Sequence, residues 1–142
     1  MKQFFDTSVL VAAFWSGHPQ HEKSLKVFAD ADRTHSACAI HSLAEVYAVM
    51  SVLPVRPVLP AEQVLLFVQE VQDRCTLVTL DENEYFDTIR RTAEQGYAGG
   101  RIYDALLLRC AAKANPEIIY TWNLKHFLAL APEMSGRIRA PG

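Results

Sequence analysis

The apolar residues of this chain are broken into runs too short for helices, and helix-length stretches separate those runs. That alternation limits the fold more than any other feature. Residues 2–5 end in Phe4-Phe5 and are closed by Asp6, residues 76–80 are β-branched and apolar, and Ile118-Ile119-Tyr120-Thr121 follows Pro116. Runs of this length suit strands buried on both faces. The mixed segment 35–39 and the segment 137–140 are two further candidate strands.

The intervening stretches carry helix signals. Residues 8–15 are apolar on nearly all sides and are broken by Ser16-Gly17-His18-Pro19, which predicts a short buried helix. Pro19 is expected at the first position of an amphipathic helix that runs to about Asp32. Ser42 stands three residues before Glu45, the form of a capping box, and predicts a helix from there to Leu53. Pro54, Pro57 and Pro60 enforce an extended connection. Helical patterns resume over residues 61–72, 81–95, 102–114 and 124–130, with a flexible loop at 96–100. Short strands alternating with helices predict a three-layer α/β/α sandwich around a central, mainly parallel sheet. In such sheets ligands bind beyond the carboxyl ends of the strands.

With 142 residues, half of them apolar and 21% charged, the chain has room for one domain spanning 1–142. A chain of this size buries roughly 68–70% of its unfolded surface, so its core needs no disulfides. Cys38, Cys75 and Cys110 are odd in number and lack metal-ligand spacing, and they read as buried thiols of a reducing compartment. In Met1-Lys2-Gln3-Phe4-Phe5-Asp6 a charge arrives before any signal-peptide apolar run can form, and no apolar stretch approaches bilayer length, so a cytoplasmic location is expected. The net charge of −2 rules out a global basic field of the kind that attracts nucleic acid. It leaves open an acidic pocket whose bound cations supply positive charge locally.

Three acids stand out against their surroundings. Asp6 directly follows the first strand, and Asn123 follows the 118–121 strand, so both are expected at the same sheet edge. Glu45 has Ala48, Val49 and Val52 at its i+3, i+4 and i+7 positions, and Asp104 has Leu107, Leu108 and Ala111. Each has a bland alternative: a helix cap for Asp6, the capping box for Glu45, a first-turn dipole contact for Asp104. Yet an unpaired buried carboxylate costs several kcal/mol, more than the about 0.3–1 kcal/mol a dipole contact returns. A shared divalent cation would resolve the problem for all three. Oxygen-only ligands suit Mg²⁺ or Mn²⁺, while the lack of Cys/His clustering disfavours zinc.

The segments Asp6-Thr7-Ser8-Val9-Leu10, Ala44-Glu45-Val46, Tyr103-Asp104-Ala105-Leu106 and Thr121-Trp122-Asn123-Leu124-Lys125-His126-Phe127 together resemble a PIN domain. The likeness runs to VapC-type ribonuclease toxins of toxin-antitoxin pairs and covers essentially the whole chain. The resemblance implies a Mg²⁺- or Mn²⁺-dependent endoribonuclease, often a homodimer, silenced by a cognate antitoxin that covers the acidic site. It makes Asp6 and Asp104 the main metal ligands, Glu45 a further ligand or base, and Asn123 a residue orienting water or a ligand. Asn123 stands where many relatives have Asp.

Other features carry weaker expectations. Ser8 and Thr7 could bond an Asp or a phosphate oxygen, but hydroxyls after a strand more often cap the next helix. His18 and His21 read as an exposed pair at a helix start rather than metal ligands, and His126 as a packing or capping histidine. Trp15 and Trp122 read as core rather than base-stacking groups. Two rival functions are a catalytically inactive PIN-like module that binds RNA or protein, and a phosphatase using Asp6 as nucleophile. The latter usually requires a second acid where Ser8 stands.

Overall fold

The computed structural model describes residues 1–142. In chain order the elements are β1 (Gln3–Phe5), α1 (Thr7–Phe14), α2 (His21–Ala29), β2 (Ser36–Ala39), α3 (His41–Met50), α4 (Ala61–Arg74), β3 (Thr76–Val78), α5 (Glu82–Glu94), α6 (Arg101–Ala114), β4 (Ile118–Tyr120), α7 (Leu124–Leu130) and β5 (Ile138–Arg139). The strands form one sheet in the order β3-β2-β1-β4-β5, and every pairing is parallel. Successive strand residues point to opposite faces, so the sheet feeds two cores. Phe5 and Cys38 pack with Val9 and Leu10 of α1, Phe28 of α2, Val46 and Met50 of α3, and Val64 and Val71 of α4. Phe4, Ala37, Val78 and Ile119 pack on the other face with Leu107 and Ala111 of α6 and Phe127 of α7. The architecture is the expected α/β/α sandwich, and its sheet is wholly parallel.

Several local expectations change. Pro19 lies in the turn before α2, which starts at His21 and stops at Ala29. The Ser42–Glu45 capping box does not form: Ile40 is the N-cap of α3, no side chain caps that end, and Ser42 is buried inside the helix. The hydroxyl of Ser42 lies 2.9 Å from that of Thr7, and the Glu45 carboxylate likewise turns to α1. A capping box does exist at α5, where the Asp81 carboxylate accepts from the Glu84 amide and Glu84 accepts from the Asp81 amide. A short 3₁₀ helix, Pro132–Met134, precedes β5 and was not foreseen. All three cysteines are buried and unpaired. No helix is long and apolar enough to cross a membrane.

Candidate functional site

β1 is the middle strand, and the chain leaves it toward β2 and β3 on one side before returning to build β4 and β5 on the other. Helices following β1 and β4 therefore go to opposite faces, α1 to one core and α7 to the other. A crevice opens at this switch point, beyond the carboxyl ends of the two strands. Asp6 leaves β1 there, and its amide donates to the Tyr120 carbonyl at 2.9 Å, which ties the two strand ends together.

The Asp6 carboxylate is buried, at 2% exposure. Ser8 Oγ donates to its Oδ2 at 2.6 Å and Thr121 Oγ1 donates to the same atom at 2.8 Å. Each hydroxyl also accepts a backbone amide from beyond β4: Trp122 N–H to Ser8 and Asn123 N–H to Thr121. One carboxylate oxygen thus anchors the whole turn after β4. Burial is the largest influence on Asp6 and raises its carboxyl from 3.8 to about 6. The two hydroxyls pull the other way, and the charges of Asp104 and Glu45 add to the rise. Asp6 occupies the N-cap of α1 yet makes no side-chain cap bond. The capping alternatives for Asp6, Ser8 and Thr7 therefore fall, because all three side chains are committed elsewhere.

Thr7 Oγ1 donates to Glu45 Oε1 at 2.8 Å, joining the start of α1 to α3. Asp6, Thr7, Ser8, Glu45, Asp104 and Asn123 line one cleft of about 260 Å³, with His18 and Leu107 among its other walls. The four residues singled out from sequence thus come together from four separate elements. A larger cleft of about 450 Å³ against α5 and α6 contains one acid, Glu133, and no such convergence.

Two of the arguments from sequence need correction. Ala48 and Val49 of α3 are exposed, and Val52, in the turn beyond the helix, is exposed at 77%, so Glu45 does not interrupt a buried stripe. Asp104 is only partly buried, and it has a partner that sequence reasoning missed: His126 Nδ1 is 3.8 Å from its Oδ2. Burial still raises the Asp104 carboxyl, followed by a lowering from His126, a rise from Glu45 and a lowering from Arg101. Arg109 turns away, to Asp87 at 3.0 Å. The acids share the cleft without forming a tight set: no three His, Cys, Asp or Glu side chains gather at common ligand spacing. Thr121 and His18 are the other members of the site that sequence reasoning passed over.

A doubly wound parallel sheet with acids at its switch point is a class of fold shared by many hydrolases and binding proteins, and comparison narrows it. The model of the PIN domain family matches residues 4–128. The chain belongs to the PIN domain family. No curated protein matches the sequence. Among solved structures it is similar to Mycobacterium tuberculosis VapC20, a toxin that cleaves the sarcin-ricin loop, with TM-score 0.69, 15% identity and coverage of 90% of this chain and 95% of that one. It is also similar to Rickettsia felis VapBC2, solved on a DNA fragment of its promoter, with TM-score 0.66, 17% identity and full coverage of both chains. A third similar structure is VapBC-1 of nontypeable Haemophilus influenzae, with TM-score 0.64, 14% identity and coverage of 99% and 98%. At these identities the likeness establishes a common fold.

Proposed function

We propose that this chain is a metal-dependent endoribonuclease and the toxin of a toxin-antitoxin pair, a single catalytic domain acting in the cytoplasm. The observation that carries the reading is the meeting of Asp6, Glu45, Asp104 and Asn123 in one cleft at the switch point of a PIN sheet. The donor set fits Mg²⁺ or Mn²⁺. Burial raises the carboxyls of Asp6 and Asp104, and the charge of Glu45 adds to both, a cost that a hard cation reverses. Their loose spacing is compatible with Mg²⁺, which keeps several waters and takes only one or two carboxylates directly.

Asp6 and Asp104 would hold the cation, with Glu45 as a further ligand or a base. When bound, the cation lowers the pKa of a water and screens the charge that builds on phosphorus during phosphodiester hydrolysis. The chain's own contribution is placement. Ser8 and Thr121 pin Asp6 through Oδ2, while its Oδ1 takes no hydrogen bond and is not sealed from solvent. Thr7 pins Glu45. Asn123 sits exposed at the N-cap of α7 with its carboxamide uncommitted to the helix, suited to orient water or a phosphate oxygen. Two hydroxyl donors on Asp6 favour a fixed anion over a nucleophile, which argues against the phosphatase alternative.

A homodimer and a cognate antitoxin belong to the same proposal. Exposed Val49 on α3, Val52 in the turn after it, and Leu65 and Leu66 on α4 offer apolar surface for protein contacts. The test is cleavage of single-stranded RNA with Mg²⁺ or Mn²⁺. The wild type should cut, and chelation, Asp6→Asn or Asp104→Asn should each lower the rate at least about 100-fold. Cutting that survives both substitutions would end the proposal, and a wild type that binds RNA without cutting would favour an inactive module.

A further inference from the structure

The turn between α1 and α2 holds a histidine at the acid cleft, and several contacts conspire to keep it there. His18 is one of the cleft's lining residues. Its Nδ1 accepts the Gln20 amide at 3.0 Å, so the neutral ring carries its proton on Nε2. The edge of the ring meets the Trp15 indole, with centroids 5.6 Å apart and planes at 78°. Gly17 makes that contact possible, since a Cβ there would come within 2.9 Å of Trp15 Nε1. The His18 amide donates to the Trp15 carbonyl and the His21 amide to the His18 carbonyl, both at 3.0 Å. His21, whose Nδ1 donates to the Ala12 carbonyl at 2.8 Å, bolts the start of α2 to α1. The arrangement fixes both the tautomer and the place of the ring, and it leaves Nε2–H, like the Asn123 carboxamide, an unspent donor in a cleft that also holds three carboxylates.

We propose that His18 is a substrate-contacting residue whose Nε2–H donates a hydrogen bond to a phosphate oxygen of RNA seated at the acid cleft. The inference rests on the nuclease reading, and it assigns the cleft a neutral donor for the anion that the acids alone would repel. It makes His18 a partner of the substrate and not a metal ligand.

Two substitutions separate this role from upkeep of the turn. His18→Asn keeps an acceptor for the Gln20 amide but loses the distal donor, and His18→Gln places an amide donor near the position of Nε2. Binding of a short labelled single-stranded RNA is measured in chelator by fluorescence anisotropy, beside cleavage in Mn²⁺ and Mn²⁺ binding by calorimetry. A hydrogen bond to a charged oxygen predicts about a tenfold or greater loss of RNA affinity and of kcat/KM for His18→Asn. His18→Gln should recover part of both, with Mn²⁺ affinity and melting temperature unchanged. RNA affinity equal to wild type in His18→Asn would overturn the assignment, even if Asp6→Asn abolishes cleavage and the nuclease reading stands. Weakened Mn²⁺ binding in His18→Asn would also overturn it, by making the ring a ligand.

Discussion

Asp6 concentrates the chemistry of the molecule in one side chain. Its carboxyl rises from 3.8 to about 6, chiefly through burial. Between those values the folded chain holds a proton that the unfolded chain has released, so this group's contribution to stability is greatest below about pH 4 and falls as pH rises through 6. Asp6→Asn keeps an oxygen for Ser8 and Thr121 and removes the buried charge. In chelator it should stabilise the fold at pH 7.5 by about 1–3 kcal/mol, several degrees in melting temperature, with no gain at pH 3.5. A lower melting temperature at pH 7.5 would show that the carboxylate is a structural asset instead. Asp6, Asp104 and Asn123 were legible from sequence because polar groups punctuate apolar patterns at strand ends and early helix turns, whereas the apolar stripe that pointed to Glu45 is exposed. Thr121 was not legible, since its bond to Asp6 spans 115 residues and depends on β1 lying beside β4. His18 was hidden for a related reason: an exposed-looking histidine beside a proline gives no sign of the cleft across from it.

At the scale of elements, periodicity located almost every strand and helix but misjudged what holds their ends. Ser42 and Glu45 have capping-box spacing, yet α3 begins two residues too early for them, and both side chains serve the junction with α1. The α5 box at Asp81 and Glu84 is real and lies away from the acid cleft. Asp81→Ala should therefore cost about 1 kcal/mol and lower the melting temperature by roughly 2–4 °C, with Mn²⁺ affinity unchanged. A change in Mn²⁺ affinity would mean that α5 is coupled to the site through α6. The faces of α3 were also misread, because apolar residues lie on several of its sides. Val46 and Met50 face the core while Tyr47 and Val49 face out, a choice made by packing against α4 and the sheet rather than by the pattern itself.

For the molecule as a whole, alternation of strands and helices predicts a layered, largely parallel fold, but the strand order lies beyond that pattern. The order β3-β2-β1-β4-β5 makes the first strand the centre and brings Asp6 against the turn after β4. Glu45 and Asp104 then approach from opposite faces, on α3 and α6, which pack in different cores. In the proposed nuclease these distant acids would act together on one divalent cation. Calorimetric titration of the metal-free chain with Mn²⁺ tests it most directly. Binding should be saturable in the wild type and weakened at least about tenfold by Asp6→Asn and again by Asp104→Asn, each loss being that of one charged ligand. Binding that is unchanged in both variants would contradict it.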